Sequence, residues 1–591
     1  MKNRCKTNLL TPKRQAKYYP LAYLHALIVS FLPPNQHAQM KKMMFLVFSG
    51  ILTGLASFSQ KTTKNAAQEG YPRPKLVVGI VIDQMRWDYL YRFNPLFKAD
   101  GGFKRMMGEG FSCDNTLIPY TPTITACGHT CVYTGSVPAV HGITGNAWWD
   151  NQLMRSVYCS EDKTVNGVGS RTIEDGQMSP KNMLVTTVCD ELRLATNFQS
   201  KVIGIAVKDR GAILPAGHSA NAAYWYEGQT GNFISSTWYM NELPGWVKNF
   251  NARKIPDSLY KLNWSLSMPA EAYSKYATAD VKPYESRPLG RDAAGFPYDL
   301  SAFIGKDYSK IPPTPWGNTL TVEMAKAAID AEQLGKGATT DFLAISFSTP
   351  DYIGHSFGPN SMEQVDDYIH LDQDLGRLFA YLDAKVGKGQ YTAFLTADHA
   401  VAHVPGFMKE NKLPNGLFDA TGERRNMNAK LKEMFGLDNL VMSMYNYQVS
   451  LNHPRIDSAK ADEAAITKWI INYIKKNPAI ANAFPTADIM TVPIPKTLRD
   501  MLSNGFNPQR SGDIQMVLKP GYIEGGATGT THGLWYPYDA HIPLLWYGWG
   551  IKQGRSKKEV YMTDIAPTVA ALLNIQMPSG AVGKVIEEVM K

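Results

Sequence analysis

The run Leu76-Val-Val-Gly-Ile-Val-Ile82, ended abruptly by Asp83, is the strongest constraint on what this chain can fold into. A strand with one wet face alternates apolar and polar residues. A run without alternation has no face to give to water, so both of its faces must be covered. Comparable runs lie at 201–207, 342–347, 391–396 and 542–547. Helical periodicity falls between or after them, at 320–334, 362–386 and 564–573. Strands alternating with helices predict an α/β fold: a doubly wound, mostly parallel sheet flanked by helices, with ligands gathered at the carboxyl ends of the strands. The stretches 211–315 and 404–524 follow neither period and read as inserted cap segments over that end.

Charge narrows the function classes. The chain carries a formal net charge of +9, but eight basic residues and no Asp or Glu lie before Gln60, which leaves +1 for the remainder. A nucleic-acid surface therefore loses its support. The early basic segment reads instead as an N-terminal extension and signal peptide over 1–59. The start is at Met40, with Lys41-Lys42 as basic region, 43–55 as apolar core and Ser57-Phe-Ser59 as cleavage site. An N-terminal anchor is the alternative, but this run and the earlier one at 21–32 both fall short of the ~20 residues of a spanning helix. The expectation is a periplasmic or secreted protein with no stable membrane insertion after cleavage. A linker over 60–74 then leads to a catalytic domain over 75–591. Five of the six cysteines follow Gln60, an odd number whose pairing the sequence leaves open.

Four of the buried runs are followed at once by groups that bind metals or phosphates. They supply Asp83, Lys208-Asp-Arg210, Asp351 with His355, and Asp398-His399, while a glycine-flanked loop adds His532. Carboxylate with neutral imidazole suits zinc, and this number of donors implies two ions. In Pro122-Thr-Ile-Thr-Ala-Cys-Gly-His129 a turn leads into a helical reading, which puts Thr125 near a helix N-terminus. There the Ala126 amide and the helix dipole would favour a developing alkoxide and a bound phosphoryl group. Thr123 is its competitor. Read as extended backbone, Lys208 and Arg210 share a face and reach one ligand while Asp209 turns away.

Taken in order, Asp83, the Thr-x-Thr-x-x-Gly-His segment, Asp351-x-x-x-His355, Asp398-His399 and His532 resemble the alkaline phosphatase superfamily, and most of all the PafA-type bacterial alkaline phosphatases. The resemblance runs from Lys75 to the C-terminus. It implies an alkaline phosphatase-like fold and two Zn2+ per chain, one held by Asp83, Thr125, Asp398 and His399, the other by Asp351, His355 and His532. It implies Thr125 as nucleophile through a phosphothreonine intermediate, with Asn146, Lys208 and Arg210 on the phosphoryl oxygens. The expected substrates are small-molecule phosphate monoesters and the product is inorganic phosphate. The alternatives are a nucleotide pyrophosphatase/phosphodiesterase, which the Lys-x-Arg pair opposes, and a non-catalytic secreted metal-binding protein. Cys127 and Cys131 lack the C-x-P-x-R setting of a sulfatase.

Overall fold

The computed structural model describes residues 71–290 and 292–591. The signal-peptide reading and most of the linker lie outside these residues. From Arg73 to Lys591 the chain forms one compact unit.

Its centre is an eleven-stranded sheet. The strands are β1 (Leu76–Ile82), β2 (Phe111–Leu117), β3 (Val202–Ala206), β4 (Ala222–Glu227), β5 (Asn232–Ser236), β6 (Asp341–Phe347), β7 (Tyr391–Thr396), β8 (Leu544–Gly548) and β9 (Gly554–Tyr561), with short pieces at His541–Ile542 and Gly167–Val168. The central order β7-β1-β6-β3-β4 is parallel throughout. On either side β8 and β5 run antiparallel, as do the short edge pieces. Every residue of β1, β3, β6 and β7 is buried, as their unbroken apolar runs require. The covering helices include α1 (Thr125–Thr134), α2 (Asp209–Ala216), α3 (Trp316–Ala331), α4 (Thr349–Phe357), α5 (Met362–Leu382) and α6 (Ile565–Leu573). Helix α1 packs on α2 and α6, and α3 packs on α5. The fold is α/β with a large, mostly parallel sheet.

Three expectations change in detail. The run 542–547 is two strands, because Pro543 has no N–H to give to a ladder and breaks it. The helical pattern over 362–386 leaves α-geometry at Leu382 and closes in a π turn, Asp383–Gly387. The stretch 211–315 is not wholly an insertion, since it finishes α2 and supplies β4 and β5 to the central sheet. Its strands were hidden because aromatic side chains and short lengths blur the period.

The stretch 404–524 builds a four-stranded antiparallel sheet of its own from Val441–Ser443, Gln448–Leu451, Ile514–Leu518 and Ile480–Pro485. Helical residues such as Met427, Leu431, Ile466 and Ile470 close a separate apolar core beneath it. All five cysteines from Cys113 to Cys189 are buried and unpaired. Among the described residues no helix is long and apolar enough to cross a membrane.

Candidate active site

Parallel neighbours end on the same side of a sheet, so β7, β1, β6 and β3 deliver their polar exits to one place. Asp398 leaves β7, Asp83 leaves β1, Asp351 opens α4 after β6, and Lys208 leaves β3. His532 arrives from the loop before β8. Its Nε2 lies 3.6 Å from Asp351 Oδ1, and His355 Nε2 lies 3.1 Å from the same oxygen. His399 Nε2 lies 3.5 Å from Asp83 Oδ1, 3.4 Å from Asp398 Oδ2 and 3.3 Å from Thr125 Oγ1. The rings of His399 and His532 stack with centroids 3.4 Å apart.

Each of the three imidazoles is oriented from behind by a backbone carbonyl. Nδ1 of His355 meets Thr530 O at 2.7 Å, Nδ1 of His399 meets Ala400 O at 3.0 Å, and Nδ1 of His532 meets Thr123 O at 2.8 Å. A carbonyl can only accept, so each Nδ1 carries a proton, and a ring in its neutral form turns the Nε2 lone pair toward the carboxylates. Burial, reinforced at His532 by the other two imidazoles, pushes His399 and His532 below their ordinary pKa. At His355 burial is outweighed by Asp351, which raises it. At His399 and His532, neutral Nε2 lone pairs facing carboxylate oxygens repel unless a cation lies between them.

Two further facts match a cation. Asp83 Oδ1 is buried without a hydrogen-bond partner, and Asp398 Oδ2 faces the His129 ring at 3.2 Å. Burial, and then the neighbouring charges of Asp351 and Asp398, hold the Asp83 carboxyl well above the usual range. Asp351-His355-His532 and Asp83-Asp351-His399 each bring their donor atoms within 4.8 Å of one another. Carboxylate with Nε2 imidazole, each ring braced by a carbonyl, is a donor set that fits zinc.

Lys208 sits at the junction. Its ammonium bonds Asp83 Oδ2 at 2.7 Å and also Asp351 Oδ2. Although burial opposes its charge, these two carboxylates raise its pKa. Asp351 is itself held well below the usual range, because His355 and then Lys208 outweigh burial. The expected extended Lys-Asp-Arg segment is not what forms. Lys208 is the N-cap of α2, Asp209 is already helical, and the alternation breaks there. Asp209 and Arg210 therefore do not face opposite ways: Tyr158 Oη donates to Asp209 Oδ1 at 2.8 Å and accepts from Arg210 at 3.2 Å. A cavity of about 360 Å³ opens beside Lys208, Asp209, Arg210 and Tyr352.

Thr125 is the first residue of α1, and Ile124 is its N-cap, so the threonine hydroxyl is not used as a cap. Thr123 is engaged elsewhere, donating to Leu534 O at 2.8 Å. The Ala126 amide differs from expectation: it donates to Asn146 Oδ1 at 3.0 Å. This bond fixes the Asn146 side chain so that its NH2 group remains as the donor.

Sequence reasoning missed Gln84. Held at φ 69° just past β1, it donates its side-chain N–H to Asp351 Oδ1 at 2.7 Å and its backbone N–H to Asp398 Oδ1 at 3.1 Å. Room for it depends on Gly354, where a Cβ would come within 1.8 Å of Gln84 Oε1. The only available signal was a polar residue directly after Asp83. His129 buttresses the start of α1, bonding Thr125 O at 2.9 Å and Ser346 Oγ at 2.8 Å. His403 stays outside the site on Asn360. Trp148 is core, while Trp149 lines a separate cavity.

The family described as type I phosphodiesterase / nucleotide pyrophosphatase matches residues 77–535. Alkaline phosphatase PhoV of Synechococcus elongatus is 52% identical over 88% of this chain and 93% of its own. Alkaline phosphatase PafA of Elizabethkingia meningoseptica is 48% identical over 92% of this chain and 98% of its own. A crystal structure of wild-type alkaline phosphatase PafA superposes with a TM-score of 0.86 at 48% identity, covering 88% of this chain and 99% of the other. A protein of Myroides odoratus named calcium-transporting ATPase is 48% identical over 89% of this chain and 96% of its own.

Proposed function

We propose that this chain, which belongs to the type I phosphodiesterase / nucleotide pyrophosphatase family and is an alkaline phosphatase of the PafA type within it, hydrolyses small organic phosphate monoesters through the Thr125 hydroxyl after export to the periplasm or medium. The observation that carries the reading is the convergence of three carbonyl-braced imidazoles on the buried carboxylates Asp83, Asp351 and Asp398, with His399 Nε2 3.3 Å from Thr125 Oγ1. Asp83, Asp398, His399 and the Thr125 oxygen would hold one zinc ion, and Asp351, His355 and His532 a second. Bound there, the ions would supply Lewis acidity that favours the threonine alkoxide and neutralises the departing oxygen.

The chain's own groups do the rest. Thr125 stands at the start of α1, where the helix dipole favours negative charge on its oxygen. Its Oγ attacks phosphorus in line: the Oγ–P bond forms as the bond from phosphorus to the alcohol oxygen breaks. Water then attacks the phosphothreonine from the opposite side, releasing inorganic phosphate and restoring the hydroxyl. The Asn146 NH2 group, pre-set by the Ala126 amide, donates to a non-bridging oxygen. Lys208 and Arg210 supply two fixed positive charges, which match the extra anionic oxygen of a monoester over a diester.

The test compares p-nitrophenyl phosphate with bis-p-nitrophenyl phosphate on the zinc-loaded protein. A higher kcat/KM on the monoester, lost with a chelator and regained with zinc, is expected. Preference for the diester would move the chain to the phosphodiesterase reading, and full activity after complete zinc removal would end the metal assignment.

A further inference from the structure

Two consecutive residues of the 404–524 segment reach into the site from outside it. Asn446 and Tyr447 have φ of 59° and 60°, a left-handed conformation that Asn tolerates and an aromatic residue rarely adopts. Asn446 Nδ2 donates to Ala147 O at 2.9 Å. The side chain fits because the neighbouring position is Gly145, where a Cβ would come within 2.4 Å of Asn446 Nδ2. Tyr447 Oη donates to His532 O at 3.2 Å. One strained turn thus grips the carbonyl of Ala147, the residue after Asn146, and that of His532.

The peptide around Asn146 leads into the strand Ala147–Asp150, which pairs with Arg155–Tyr158. Its carbonyl accepts from Cys159 N at 2.9 Å, and its side-chain oxygen takes the Ala126 amide. Asn446 adds the contact at Ala147 from outside that hairpin, and it comes from a segment with its own sheet and its own core. Strain of this kind persists only where surrounding contacts hold it, and it concentrates where geometry serves function.

We propose that Asn446 is a positioning residue for phosphoryl recognition: it holds the 145–147 peptide so that the Asn146 NH2 group points at the bound phosphate. The segment 404–524 is thereby coupled to phosphate affinity without touching phosphate. This inference rests on the role given to Asn146 above.

The test is a double-mutant cycle read as the inhibition constant of inorganic phosphate and as separate kcat and KM for a monoester. The first change is Asn446→Gly, which keeps the left-handed backbone and removes only the donor; the second is Asn146→Ala. Asn446→Gly is expected to weaken phosphate about three- to tenfold, the worth of one hydrogen bond. It should have no further effect in the Asn146→Ala background, with zinc content and melting temperature close to those of the parent. If Asn146→Ala leaves phosphate affinity unchanged, the role of Asn146 itself fails. If Asn146→Ala weakens phosphate but Asn446→Gly does nothing, or weakens it equally in both backgrounds, Asn446 does not act through Asn146 and the proposal is overturned.

Discussion

Gly128 lies directly against Asp398: a Cβ on the glycine would come within 2.2 Å of the Asp398 backbone oxygen. Helix α1, which carries Thr125, can approach the exit of β7 this closely only because one residue of its inner face has no side chain. The distance between the Thr125 helix and Asp398 is therefore set by a missing methyl group.

Gly128→Ala should push α1 away from Asp398. The clash is with backbone, which cannot rotate aside, so a loss of about 1–3 kcal/mol in stability is expected. Zinc affinity and kcat should fall together, because Asp398, His399 and Thr125 separate. Thermal unfolding and metal titration of the variant check this; unchanged zinc affinity would show that the contact has slack.

The two threonines should separate cleanly. Thr125→Val removes the oxygen proposed to attack phosphorus while keeping the shape, and turnover should fall by roughly 10⁴-fold or more. Thr123→Val loses only a bond to Leu534 O, costing about 1 kcal/mol of stability with most activity kept. Metal analysis of Thr125→Val should still find zinc, because three protein donors remain at that position.

Removal of either cation beside the site should shift selectivity as well as rate. Lys208→Ala and Arg210→Ala are each expected to lower monoester kcat/KM by roughly 10²-fold. The diester, with one anionic oxygen fewer, should lose much less. Equal losses on both substrates, measured side by side, would remove these residues from the discrimination.

Glu285 offers a pH readout away from the site. Burial, and then the negative charge of Asp280, push its carboxyl from the ordinary 4.5 to about 8, although the Lys282 amide and ammonium oppose the shift, and its Oε1 has no partner. Glu363, itself raised, feels the charge of Glu285. A raised carboxyl is neutral in the folded state while the unfolded chain ionises. Its stability contribution is therefore full below pH 4.5 and is lost as pH rises to about 8. Glu285→Gln should melt higher than the parent at pH 9 and show a much smaller difference at pH 5. Equal shifts at both pH values would place the carboxyl at an ordinary pKa.

What was legible in the sequence followed from local periodicity. Unbroken apolar runs marked β1, β3, β6 and β7 because a strand covered on both faces leaves no position for a polar residue. Asp83, Lys208, Asp351 and Asp398 were visible because they end such runs or follow them closely. Strands β4 and β5 were not, since their short aromatic runs resemble a cap as much as a sheet.

Sequence alone determined that polar groups would collect at one end of a parallel sheet, because strand direction settles where every β-strand exit lies. Only the tertiary structure decided how they meet. Gln84 bridges two carboxylates through a left-handed backbone and the space left by Gly354. Lys208 starts a helix rather than continuing a strand. Asn446 reaches Ala147 across 299 positions. Such contacts depend on the juxtaposition of distant backbone, and no period along the chain encodes it.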